Sequence, residues 1–310
     1  MSNSQAITVG VVQGSLRRRR RVDVAGTLFA AALLLSLLFT LAVLAILVGD
    51  QMTRGLPVLA ERGTDFFSAS LSSRPAQAGI AQGLIGTAML TAMVALLAFP
   101  IGILTAIYLE EYAPNTGLTR IIAINIRNLA GVPSVVYGLL GLAVFVALFR
   151  ALGVGTGRNI LSGGLTLAVL VLPLVIITSA EAIRAVPNTI REAGYGIGAS
   201  RWQVVRQLVL PSAVPGILTG TVLALARALG ETAPLILAGA VLGSFSTGGS
   251  LGDLFGGPYT ALPVIVYDWA RKPQEEFRAL TSAAILVLLA VTIIANGFAI
   301  FLRNRYDRRW

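Results

Sequence analysis

The chain has no cysteine and no histidine. The first absence excludes disulfides, thiol nucleophiles and thiolate metal sites. The second removes the usual metal ligand and the usual proton carrier near neutral pH, so no cofactor and no bond chemistry are expected. Lysine is nearly missing: Lys272 stands alone, and Pro273 follows it. A phosphate-binding loop of the form GxxxxGK[ST] is therefore impossible, and any ATP must be hydrolysed by another chain. Charge is scarce, at 12% of residues, where a soluble chain carries about 25%.

Apolar length is what the chain has in abundance. Hydrophobic residues make up 55% of the 310, and mean hydropathy is +0.81. The fold class is all-α, a polytopic membrane protein. Net charge is +10, but the arginines lie between apolar runs. That placement reads as membrane topology and not as nucleic-acid binding.

Six spans are expected. A tail over residues 1–23, ending in five arginines (Arg17–Arg21), precedes a first transmembrane helix over 24–49. That run is too long for a signal peptide. A polar loop is expected over 50–79. A second span follows from Ala81 to Tyr108, kinked at Pro100, with Glu110 and Glu111 in the next loop. The third span is broken near its start by Gly131–Ser134 and runs to Phe149, and the fourth covers Ser162–Ala182. The fifth is placed at Ala213–Leu242 and the sixth at Leu280–Leu302, with an outer loop between them holding an amphipathic piece at Leu262–Ala270. A transmembrane domain is expected over 80–302, with the polar segment 184–212 inside it, followed by a short tail over 303–310. With both termini inside, fifteen arginines fall on the inner side and eight Arg or Lys on the outer side, as the positive-inside rule asks.

Between the fourth and fifth spans lies a polar segment, 184–212. Thr189 and Glu192 fit a capping box, Gly198 fits a left-handed helix end, and Ser200 with Gln203 fits a second capping box. The following turns place Trp202, Val205 and Leu208 on one side, and Pro211 opens the fifth span. The spacing reads as helix, glycine corner, helix. On spacing alone it is either an interfacial hairpin anchoring the loop to headgroups or a handle for a partner.

Glu192-Ala193, Gly198, Leu208 and Leu210-Pro211 resemble the "EAA" loop of the permeases of ABC importers. Gly194 stands where the pattern has a second alanine, and Leu208 where it has isoleucine. The resemblance implies a type I importer permease fold and a coupling helix, with Glu192, Ala193, Gly198 and Trp202 docking on an ATPase subunit. Residues Ile107–Pro114, Leu129–Leu142 and Ala224–Gly239 look like the permeases of phosphate importers, nearer the PstA-like subunit than its PstC-like partner. What that resemblance implies is a bacterial inner-membrane protein with both termini cytoplasmic. Its partners would be a PstC-like permease, two PstB-like ATPase subunits and a PstS-like phosphate-binding protein, periplasmic or lipid-anchored. The substrate would be inorganic phosphate. A permease for another oxyanion, or the PstC-like subunit itself, is the near alternative; an ion-coupled secondary transporter is the distant one.

Arg227 and Glu231 lie four residues apart in the fifth span and share a helical face. A mid-membrane charge costs about 2.5–3.5 kcal/mol on insertion scales. Either the two form an ion pair that lowers both costs, or Arg227 faces a path where its guanidinium meets phosphate and Glu231 tempers it. Ser134 and Tyr137, beside the broken third span, either donate to phosphate or satisfy freed backbone groups. Gly216 and Gly220 offer a small-residue packing face, toward a partner permease or within the chain.

Overall fold

The computed structural model describes residues 24–240 and 256–306. The arginine tail, the glycine-rich segment 241–255 and the last four residues lie outside the described residues. The chain forms two compact units, Met1–Gln51 and Met52–Trp310. In the first unit the described residues are the opening of helix α1 (Val24–Ser68). Its side chains are exposed on every face up to Leu47, the pattern of a helix whose surroundings are apolar all round. The 25-residue, mostly apolar run 24–48, at about 1.5 Å per residue, reaches about 37 Å, enough to cross a hydrocarbon core.

In the second unit α1 reaches Ser68 across a sharp kink at Gly63 (φ 46°, ψ −126°), so the polar loop expected over 50–79 is mostly helix. The reason is a helical stripe that polarity hides. Gly55, Leu59 and Arg62 recur every three or four residues before the kink at Gly63, and beyond it Phe66 is buried, as Gly55 is. A Cβ on Gly55 would lie 2.8 Å from the backbone of Ser282 and Ala283. Phe66 joins Trp269 and Phe277 in an aromatic cluster with Ile80 and Ile265.

Five further spans follow: α2 (Ala81–Tyr112), α4 (Ser134–Ala151), α5 (Ile160–Arg184), α7 (Arg201–Gly230) and α10 (Glu275–Tyr306). Shorter helices stand between them: α3 (Gly117–Ala130), α6 (Asn188–Gly196), α8 (Ala233–Leu237) and α9 (Leu262–Ala270). No strand occurs among the described residues. Helix α5 is the axis of the unit. It packs against α2 and α7, and two-thirds of its apolar window is buried. Asn159 and Ser162 close a reciprocal capping box at its start.

Gly216 and Gly220 face α5: added Cβ atoms would lie 2.7 Å from Ala182 Cβ and 2.2 Å from Thr178 Oγ1. The small-residue face is thus spent within the chain. Gly153, Gly155 and Gly157, all at positive φ, turn the chain between α4 and α5.

Three expectations need correction. The last turn of α2, Tyr108–Tyr112, is a π-turn, so Glu110 and Glu111 are helical and not in a loop. The segment 117–130 is an amphipathic helix ahead of the break at Gly131–Pro133. The fifth span ends at Gly230, not Leu242, because Glu231 is extended (φ −77°, ψ 123°) and Pro234 sits in the first turn of the next helix.

Candidate functional site

Helix α6 begins directly after Pro187, whose backbone occupies the N-cap position. Thr189 therefore lies inside the helix, and the expected Thr189–Glu192 capping box does not form. Glu192 is exposed and has no hydrogen bond or ion pair among the described residues. Gly198, at φ +82°, ends the helix in a Schellman turn: its N–H donates to Tyr195 O at 2.9 Å, and Ala199 N–H donates to Gly194 O at 3.1 Å. The next capping box forms as expected, with Ser200 N–H on Gln203 Oε1 at 2.7 Å and Gln203 N–H on Ser200 Oγ at 3.4 Å.

Helix α7 then runs unbroken into the membrane segment, so Pro211 interrupts nothing. Residues Val205–Val209 form a π-turn, which widens the repeat. Val204, Val205 and Val209 face inward as a result, and Trp202, expected beside Val205, points outward and is 57% exposed. Full burial of each valine stabilises this docking by about 1.5–3 kcal/mol. Gly194 has a packing reason to depart from alanine: a Cβ there would meet Leu208 Cδ1 and Val204 Cγ2 at 2.8 Å. The outer surface of the segment carries Glu192, Ala193 and Gly198, all exposed, with Tyr195, Ile197 and Trp202 as large exposed apolar side chains.

What holds this segment was not read from the sequence. Three successive residues of the α2 π-turn each bind one arginine. Glu110 pairs with Arg184 at the end of α5. Glu111 accepts from Arg191 Nε at 3.1 Å and Nη2 at 2.7 Å. The Tyr112 ring lies under the Arg201 guanidinium at 5.2 Å. Arg191 also donates to the carbonyls of Val186 at 2.7 Å and Ile183 at 3.0 Å. Both members of the central pair are largely buried, with 17% of the arginine and 6% of the carboxylate side chain accessible. The available signal was a doubled acid at the end of one span, opposite an arginine series at the ends of two others.

Arg227 and Glu231 meet at the far end of α7, Nε to Oε1 at 3.3 Å. Glu231 is mostly covered, but 42% of the Arg227 side chain remains accessible. Its two terminal nitrogens make no hydrogen bond among the described residues, so the ion pair leaves donors free. Close by, α8 packs on α4: a Cβ on Gly138 would lie 2.7 Å from Pro234 Cα. The Tyr137 hydroxyl donates to Leu129 O at 2.9 Å, a carbonyl freed by the break before α4. Ser134 is the first residue of α4 and half-buried, and its hydroxyl makes no hydrogen bond among the described residues. The structure thus gathers Arg227, Glu231, Tyr137 and the break, and keeps them apart from the α6 surface. Among the described residues no group of His, Cys, Asp or Glu is arranged to hold a metal.

Residues 98–308 match the family model of the binding-protein-dependent transport system inner membrane component. The chain is 32% identical over 298 residues to the phosphate transport system permease protein PstA 1 of Mycobacterium tuberculosis (strain CDC 1551 / Oshkosh), covering 95% of this chain and 92% of the relative. It is 34% identical over 239 residues to the probable ABC transporter permease protein YqgH of Bacillus subtilis (strain 168), covering 74% and 76%. Among solved structures it resembles a bacterial alginate ABC transporter, with TM-score 0.63, 16% identity and 94% and 99% covered. It also resembles an inward-facing MetNI methionine ABC transporter, with TM-score 0.58, 18% identity and 76% and 100% covered.

Proposed function

Because the chain belongs to the family of binding-protein-dependent transport system inner membrane components and has the all-α fold of type I ABC importer permeases, we propose that it is one of two permease subunits of an ATP-driven phosphate importer. The observation that carries this reading is the α6 surface, free on its outer side and pinned on its inner side. An exposed carboxylate at Glu192, with Ile197 and Trp202 beside a rigid glycine corner, suits docking on an ATPase subunit. ATP-driven closure of two such subunits then moves the span ends together. Supporting phosphate are the mycobacterial relative's name and the half-exposed Arg227, whose fork matches an oxyanion. Glu231 limits how tightly the anion is held. Ser134 is a further donor at the break. The partners are a PstC-like permease, two PstB-like ATPase subunits and a PstS-like binding protein, and the loops at the α6 end face the cytoplasm of a bacterial cell.

The test is labelled phosphate uptake into vesicles holding the assembled complex, with sulfate and molybdate beside it. ATP-dependent uptake of phosphate alone is expected, with Arg227→Gln reducing it at least about tenfold, as loss of charge-assisted hydrogen bonds predicts. Normal uptake by that variant would refute the role of Arg227. Uptake of another oxyanion would keep the machine and change the substrate, and gradient-driven uptake by this chain alone would overturn the reading.

A further inference from the structure

Between α3 and α5, at the α6 end of the unit, lies a cleft of about 230 Å³. At about 30 Å³ for each water, it has room for a tetrahedral oxyanion and several waters. Its charged lining is Arg120, Arg127, Arg184, Glu110 and Glu181. Glu110 and Arg184 occupy each other. Arg120 and Arg127 have no ion pair or hydrogen bond among the described residues, while Glu181 lies close enough to Arg184 to attract it. Three guanidinium groups against two carboxylates leave one net positive charge in the cleft.

The two arginines are not scattered. They stand seven residues apart on α3, two helical turns and roughly 10 Å along the axis, and both line the same cleft. Asn115, just ahead of the helix, adds a side-chain amide to the lining. Helix α3 ends at the break whose freed Leu129 carbonyl is held by Tyr137.

We infer that this cleft is a second oxyanion site, in which Arg120 and Arg127 together hold a phosphate group. The sidedness and the class of anion rest on the reading proposed above. A single net positive charge, opposed by Glu181, makes a weak site, as a point of release requires. Two sources share this chemistry: free phosphate leaving the path, and the phosphate of an anionic lipid.

The experiment uses the full chain in nanodiscs of phosphatidylcholine, with phenylglyoxal modification of each arginine followed by peptide mass spectrometry. Inorganic phosphate should slow modification of Arg120 and Arg127 several-fold relative to Arg278, which projects into solvent with 63% of its side chain accessible. Chloride at equal ionic strength should not. In the Arg120→Gln chain the protection of Arg127 should vanish, because one anion bridges both. Protection that appears only in discs containing phosphatidylglycerol assigns the site to a lipid headgroup and leaves the two ligands standing. Equal rates with and without either phosphate source, or undiminished protection of Arg127 in Arg120→Gln, overturns the site. The readout needs neither ATP nor partner subunits, so it can fail while uptake by the complex stands, and uptake can fail while it succeeds.

Discussion

Replacing Arg191 with alanine strands the Glu111 carboxylate in a site where 6% of its side chain is accessible. Removing one member of a buried pair costs about 3–5 kcal/mol. The arginine is itself 17% accessible, so a value near the lower end, about 3 kcal/mol, is expected. At about 1.4 kcal/mol per tenfold, local opening of α6 becomes roughly a hundredfold more frequent. Amide hydrogen exchange by mass spectrometry on the purified chain reads this directly: residues 188–199 should lose protection by about that factor, while the α5 core stays unchanged. Glu111→Gln keeps the shape and loses the charge. It should cost about 1.5 kcal/mol and raise exchange about tenfold. The double change Glu111→Leu with Arg191→Leu leaves no stranded charge and should cost less than the sum of the two single leucine changes. Unchanged exchange in Arg191→Ala, or strict additivity in the double variant, would refute the view that this pair pins the segment.

Gly198→Ala should lower stability by about 1–2 kcal/mol, read as a lower melting temperature. Nothing lies within 4 Å of the added Cβ, so the whole cost is the left-handed backbone at φ +82°, and Gly198→Asn should recover part of it. Gly86→Ala should prevent a stable fold, since the Cβ would lie 1.9 Å from Thr260 O; Gly117→Ala, with open space around it, should be neutral in the same melt. Burial pushes the Tyr259 hydroxyl up from its usual value. Its stabilising effect is therefore complete below the unfolded value of about 10 and is lost as pH rises through the higher folded value. Melting temperature should fall as pH rises above the unfolded value of about 10 and level off past the higher folded value, and Tyr259→Phe should flatten the fall.

The parts of the fold that were legible in the sequence are those set by local composition. Span existence follows from apolar length, the break before Ser134 from Gly131 and Pro133, and the corner at Gly198 from the one residue type that turns left cheaply. The second capping box and the helix at Leu262–Ala270 are equally local. The errors lie where a tertiary partner decides. The α1 extension is polar on average, and only its docking on α9 and α10 reveals the stripe. Glu111 and Arg191 are eighty residues apart and were seen as a loop acid and a topology charge. Trp202 is exposed because its helix turns Val204 and Val205 to the core, a choice of face that only packing decides. The Thr189–Glu192 box lost to Pro187, because a proline that is itself the N-cap moves the helix start by two residues.

The π-turn at Val205–Val209 changes how the chain must be compared with its relatives. A π-turn holds one residue more than the α-helical turn it replaces. A relative lacking that residue would have an ordinary α-turn there, and everything beyond it would be rotated by about 100° and drawn in by about 1.5 Å. Arg227 lies on the far side of that turn from Gly198. A one-residue gap in an alignment between Val205 and Val209 is therefore a statement about azimuth. It decides whether the arginine aligned with Arg227 still looks toward the break before α4 or is carried round to another face of its helix.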